Sequence, residues 1–316
     1  MIVHPVNQIP VVSFKKLQEN AEWLRQFLAQ CEIDIEKDSV LEHALFMCDN
    51  IPRWSSCQYD FLKGYKLNNI LSNAIGLAYL VSIIAAATKY PSFNNIKRLI
   101  SHITKSNPIM TEKAPSEQNR NFVFELEIAC IFAACGLSTN TADEPDVTTI
   151  NNGTWNLPCK MIYSKNTMTF GDRVEEGITQ CLRHPSDFGL VILGITNRLD
   201  HDSYMPILNE KEDTWGSFPS TAIALDYLSS EMQNYVNELG EIARFRLING
   251  RNNDKFRGIL IIAHTIGLVN GAPMLLTQVA VISRLALYHE KKKIFYVPEV
   301  DLCMKFNNTA CTIFSE

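Results

Sequence analysis

The residues of this chain with most chemistry to offer fall between positions 120 and 180. Glu125 and Glu127 lie in an apolar, helix-patterned run, and Asp146 opens a segment of β-branched residues. Lys160 follows near the end of the next such segment, and Glu175, Glu176 and Gln180 sit on a second helix-patterned run. Carboxylate and carboxamide oxygens are hard donors that suit Mg²⁺ or Mn²⁺, and a metal so held acidifies a bound water and neutralises an anionic reaction centre. A lysine among them orients a nucleophile or stabilises charge developing on a phosphoryl group. Each residue alone has an ordinary explanation: Glu125 and Glu127 as solvated helix residues, Asp146 as a turn residue, Glu175 and Glu176 as an acidic first helical turn. Their order along the chain is what points to a hydrolytic metal site.

The elements that must position them follow from periodicity. Apolar residues at helical spacing predict helices over 14–31, 38–49, 67–87 and 93–103, with Ile51-Pro52 ending the second. Residues 106–119 are polar, contain Pro108 and Pro115, and make the best linker. Beyond it come a helix over 121–135 closed by Gly136, a polar loop over 139–144 and a strand over 146–150. The dipeptide Asn152-Gly153 is a strong hairpin signal, and a returning strand covers 155–163. A helix over 173–182, a buried strand over 188–196 and a long helix over 222–248 follow. A buried strand over 257–264, a helix over 273–287 and a late strand over 294–297 complete the order. The expected architecture is an all-helical domain over 1–110, then an α/β domain over 111–316 with a mixed central sheet flanked by helices.

Composition narrows the function classes. In 316 residues, 46% are hydrophobic and 20% charged, as in ordinary soluble globular proteins, and the formal net charge of −5 excludes a protein that coats nucleic acid through a global basic field. The basic residues group modestly at Lys97, Arg98, His102 and Lys105 and at Arg244, Arg246, Arg251, Lys255 and Arg257, which read as solvated surface or as phosphate contacts. Nine cysteines form no CxxC pair, which suits buried free thiols in a reducing compartment. His264 lies in an apolar strand and reads as a core histidine, and no glycine-rich phosphate loop or GxSxG elbow occurs. The first residues lack the pattern of a secretory signal. Residues 67–88 are uncharged and long enough to span a bilayer, but Asn68, Asn69, Ser72, Asn73 and Ser82 make a buried core helix the better reading. A cytoplasmic protein without membrane insertion is the expectation.

Over residues 118–200 the order helix, strands, helix, strand and the residues on it resemble the PD-(D/E)XK nuclease superfamily. Glu125 in Phe-Glu-Leu, the pair Pro145-Asp146, the pair Cys159-Lys160 and Thr179-Gln180 carry the resemblance. It implies a restriction-endonuclease-like fold that hydrolyses DNA, or RNA, with Mg²⁺ or Mn²⁺. It further implies Asp146, Lys160, Glu125 and Gln180 as the catalytic set. The acid of the (D/E)xK triplet is missing, because position 158 is Pro158. Three readings follow. The acid has migrated to the next helix as Glu175 or Glu176, as in some restriction enzymes of this superfamily; or Glu125 and Glu127 share the metal with Asp146; or the site is inactive and the fold serves as a nucleic-acid- or protein-binding module. The helical part is expected to bind a protein partner or regulate the enzyme, in analogy with effector nucleases of bacterial defence systems, and a homo-oligomer is a further expectation.

Overall fold

Two apolar runs rich in Ile, Leu and Val supply the centre of the sheet. They are β6 (Phe188–Gly194) and β7 (Phe256–Val269), paired in parallel. The computed structural model describes residues 2–5, 14–55, 67–105, 117–142, 146–163, 167–204, 218–249, 255–270, 272–283 and 298–313. The remaining strands are β1 (Ile2–Pro5), β2 (Ser138–Thr141), β3 (Val147–Ile150), β4 (Thr154–Leu157), β5 (Cys159–Met161) and β8 (Ala272–Ser283). Seven strands lie side by side in the order β1-β8-β7-β6-β4-β3-β2, and β5 also pairs with β6. The pairings β4–β6, β5–β6 and β6–β7 are parallel, and the others are antiparallel. The expected mixed sheet flanked by helices is therefore present.

Alternation along the strands sorts side chains onto two faces. Leu157, Cys159, Met161, Leu190, Ile192, Leu260 and Ile262 join one apolar cluster. That cluster also takes in the helices α1 (Phe14–Gln30), α2 (Val40–Ser55), α3 (Leu67–Ala87), α4 (Phe93–Ile100), α5 (Glu117–Ala134) and α8 (Pro298–Ile313). Val191, Leu193, Ile259 and Ile261 face the other cluster, with α6 (Thr167–Arg183) and α7 (Thr221–Asn249). The helices before residue 110 thus pack into the same core as the sheet, and β1 adds a strand from this part to the sheet edge. Residues 74–87 of α3 are buried or half-buried among α1, α2 and α5, and no described helix is long and apolar enough to cross a membrane.

Three expectations are corrected. The helix expected over 273–287 is strand β8 as far as Ser283. Asn270, at φ 51°, turns the chain so that Val269 pairs with Ala272, and β8 then lies antiparallel along β7. Asn270-Gly271 is the same hairpin dipeptide as Asn152-Gly153, and the apolar run after it fits a buried strand as well as a helix. The loop expected over 139–144 contains β2, whose threonines and asparagine pair with β3 at the sheet edge. Helix α2 runs through Ile51-Pro52 to Ser55. The proposed strand over 294–297 and most of the linker over 106–119 lie outside the described residues. The described cysteines are free thiols.

Candidate active site

Pro158 is the local feature that shapes the site. The pairs Trp155↔Phe188 and Cys159↔Ile192 keep one register across it, and its carbonyl accepts the Ile192 N–H at 2.9 Å. A residue's N–H and C=O point the same way in a strand, so the donor that proline lacks is on the β6 side. Its loss divides the expected strand over 155–163 into β4 and β5. On the opposite side, β3 begins at Val147 opposite Leu157, so β5 has no β3 partner there. Asp146 fills that place: its Oδ2 accepts the Cys159 N–H at 2.6 Å, and the residue is buried.

Around this unpaired edge the candidate residues converge. β5 lies between α5 on one face and α6 on the other. Because Cys159 and Met161 face the α5 cluster, Lys160 alternates to the α6 face. There its Nζ meets Glu176 Oε1 at 3.0 Å, with the lysine side chain 11% exposed and the glutamate 44%. Arg173, one turn earlier, holds the other oxygen of Glu176 at 3.1 Å. Burial works against the charge of Glu176, but Lys160 and Arg173 outweigh it and hold the carboxyl below its ordinary range. From α5, Glu125 is pushed up to about 8, first by burial and then by the charge of Asp146, with Lys160 and Arg98 opposing. Glu125 therefore lies within electrostatic reach of Asp146 and Lys160, and Glu176 touches the lysine.

Other candidates fall elsewhere. Glu127 is fully buried on the far side of α5, where its Oε1 accepts the Tyr79 hydroxyl and lies 2.8 Å from His264 Nε2. Its Oε1 is thus engaged within the core, not at β5. His264 is the satisfied core histidine expected, with Thr277 Oγ1 at 2.8 Å from Nδ1. Glu175 is exposed on α6, and the acid that meets Lys160 is its neighbour Glu176. Gln180 is buried on α6, and its Oε1 has no hydrogen-bond partner. It lines a cleft of about 300 Å³ with Asp172, Glu175, Glu176, Thr179 and Arg183. Arg98 donates to Thr141 Oγ1 at 3.3 Å, His102 stacks on Phe122, Lys255 donates to the His184 carbonyl, and Arg257 lies over the Phe188 ring. Pro145, Arg251 and the side chains of Lys105, Arg244 and Arg246 lie outside the described residues. Sequence reading missed Arg173, and placed Arg98 only in a basic surface group. Arg173 was readable, since positions three apart on a helix share a face.

The donor set fits a hard divalent ion in kind. Burial and then the charge of Asp146 raise the cost of ionising Glu125, which a cation between the two would relieve, and Gln180 has a buried carbonyl oxygen still to satisfy. Among the described residues no three His, Cys, Asp or Glu side chains are grouped closely enough to hold a metal by themselves. Any ion here would therefore keep water or substrate oxygens in its coordination sphere, as Mg²⁺ commonly does. No family model, curated protein or solved structure matches this chain.

Proposed function

We propose that this chain is a metal-dependent phosphodiesterase acting on DNA or RNA. The observation that carries the reading is that Glu125 feels the charges of Asp146 and Lys160, while Asp146 binds the Cys159 N–H on β5 and Glu176 bonds the lysine. Asp146 and Glu125 would hold Mg²⁺ or Mn²⁺, which supplies a polarising charge on a phosphoryl oxygen and a more acidic water. Lys160 carries the positive charge that a phosphoryl group needs as charge develops on it. Glu176, already bonded to that lysine, orients it and takes the part of the acid that Pro158 displaced. The contact between Lys160 and Glu176 supports Glu176 over Glu175 in this reading, and the enclosure of Glu127 in the core speaks against Glu127.

The test is incubation of the full chain with linear, circular and single-stranded DNA and with RNA, with and without Mg²⁺ or Mn²⁺. Metal-dependent cleavage that Asp146→Asn and Lys160→Ala both abolish is expected. Cleavage unchanged in both variants would sink the assignment. The second reading, a nuclease fold kept for binding, is favoured by Pro158 and by the absence of a three-ligand group among the described residues. It predicts nucleic-acid binding without cleavage, insensitive to metal and to Asp146→Asn.

A further inference from the structure

Helix α5 has an uncommon problem of orientation. From Val123 to Ala133 its residues are buried, with the single exception of half-buried Glu125. It is packed by α3, α4 and α8 and by strands β2, β3 and β5. A helix that is apolar all round has no polar face to set its rotation, so beyond the packing of Phe124, Ile131 and Phe132 its orientation falls to directional polar groups. Two groups on this stretch are directional, Glu125 and Glu127. At about 100° per residue they point to nearly opposite sides.

We infer that Glu127, through His264 and Tyr79, is a positioning residue that pins the rotation and register of α5 and thereby holds Glu125 at the edge of β5. This rests on reading Glu125, Asp146 and Lys160 as a reaction site. Two elements converge on one carboxylate oxygen, and a third backs one of them. Tyr79 of α3 donates its hydroxyl to Glu127 Oε1, and His264 of β7 places Nε2 at 2.8 Å from the same atom. Thr277 of β8 fixes the imidazole from behind at 2.8 Å, and the Tyr79 and His264 rings lie 5.3 Å apart. Burial, and then the charge of Glu127, push the Tyr79 phenol well up, so it remains an O–H donor. Turning or sliding α5 by one residue would set the Glu127 carboxylate against apolar side chains with nothing to accept from. The other oxygen, Oε2, has no hydrogen-bond partner. Such a group is poorly optimised for stability, and fixing register is the best-attested use of a buried polar contact.

Two variants test the pin in the full chain. Glu127→Gln keeps an acceptor oxygen. The triple variant Glu127→Leu, His264→Leu, Tyr79→Phe replaces the network with apolar groups and leaves no unpaired buried charge, so it is expected to fold. In the triple variant, kcat for cleavage should fall about 100-fold, the scale set by an ångström of misplacement, with KM within about twofold. Amide exchange along α5 should quicken, and NMR contacts between α5 and β5 should be lost. Glu127→Gln should retain wild-type kcat and those contacts. Wild-type kcat and α5 exchange in the triple variant overturn the inference, as does an equal loss in Glu127→Gln, which would assign the effect to charge. A wild-type chain with no cleavage at all refutes the proposed activity alone, and the exchange and NMR contacts still decide the pin. Should the triple variant not fold, Tyr79→Phe removes one contact. It should lower kcat severalfold and quicken α5 exchange, and wild-type values for both overturn the inference.

Discussion

Glu125 and Glu127 are two residues apart on one helix and live in different chemical worlds. Glu125 faces the broken edge of β5, half-buried, beside a second carboxyl and a lysine. Glu127 faces the core, fully enclosed, its oxygen shared by a tyrosine and a histidine. The first arrangement leaves charge imperfectly compensated where a substrate or ion could complete it. The second is closed and leaves nothing for a ligand to do. The difference is one of geometry, since α5 carries both side chains two residues apart, and β5 lies on only one side of it.

The contrast can be broken at four points, from the largest expected effect to the smallest. Glu127→Ala removes one partner of a buried histidine and tyrosine and should cost about 3–5 kcal/mol, read from the urea unfolding midpoint. A loss below about 1 kcal/mol would mean the network is not structural. Asp146→Ala should abolish cleavage and also leave the buried Cys159 N–H without its acceptor, at about 1–3 kcal/mol. Asp146→Asn keeps an acceptor for that N–H, so it should lose activity with most of the stability retained. A pair of variants equal in stability would show that the hydrogen bond is not made in solution.

The third point is pH. The Glu125 carboxyl titrates at about 8 when folded against an ordinary value of 4.5, so between those values the folded chain binds a proton that the unfolded chain has released. Stability of the metal-free protein should therefore be full below about pH 4.5 on account of this group, fall as pH rises, and level off above about 8. Glu125→Gln should flatten that slope in thermal unfolding measured across the range. Mg²⁺ or Mn²⁺ should also flatten it, by favouring the ionised carboxyl. An unchanged slope in Glu125→Gln would place the titration elsewhere. The smallest effect concerns Arg173, exposed beside Glu176. Arg173→Ala should change stability by less than about 1 kcal/mol, as exposed pairs do, while lowering cleavage if Glu176 must stay oriented toward Lys160.

Much of the scaffold was legible because periodicity is local. The helices α1, α3, α5, α6 and α7, the turn at Asn152-Gly153 and the central strand β6 each follow from spacing within about a dozen residues. The positive φ of Gly136, 75°, is the helix end that a glycine there announces. Strand β8 was not legible, since an apolar run bounded by a turn serves a helix or a buried strand equally, and β7 alone decides between them. Strand β2 was hidden because Ser-Thr-Asn-Thr has the composition of a loop, and pairing with β3 makes it a strand.

The site divides in the same way. The sequence by itself determined which residues could do chemistry, the order in which elements present them, and the proline at position 158, because those are properties of residue type and spacing. Only the tertiary structure separated the four glutamates: it sets Glu176 against Lys160, brings Glu125 under the charges of Asp146 and Lys160, and encloses Glu127 in the core. Glu125 and Glu127 differ by 200° about a helix whose pattern is apolar throughout, and Glu175 and Glu176 are adjacent in an acidic run. In neither case does local sequence say which side chain meets Lys160 and Asp146. That choice is made by the neighbours: the open edge that Pro158 and the short β3 leave on β5, and the histidine and tyrosine that claim Glu127 for the core.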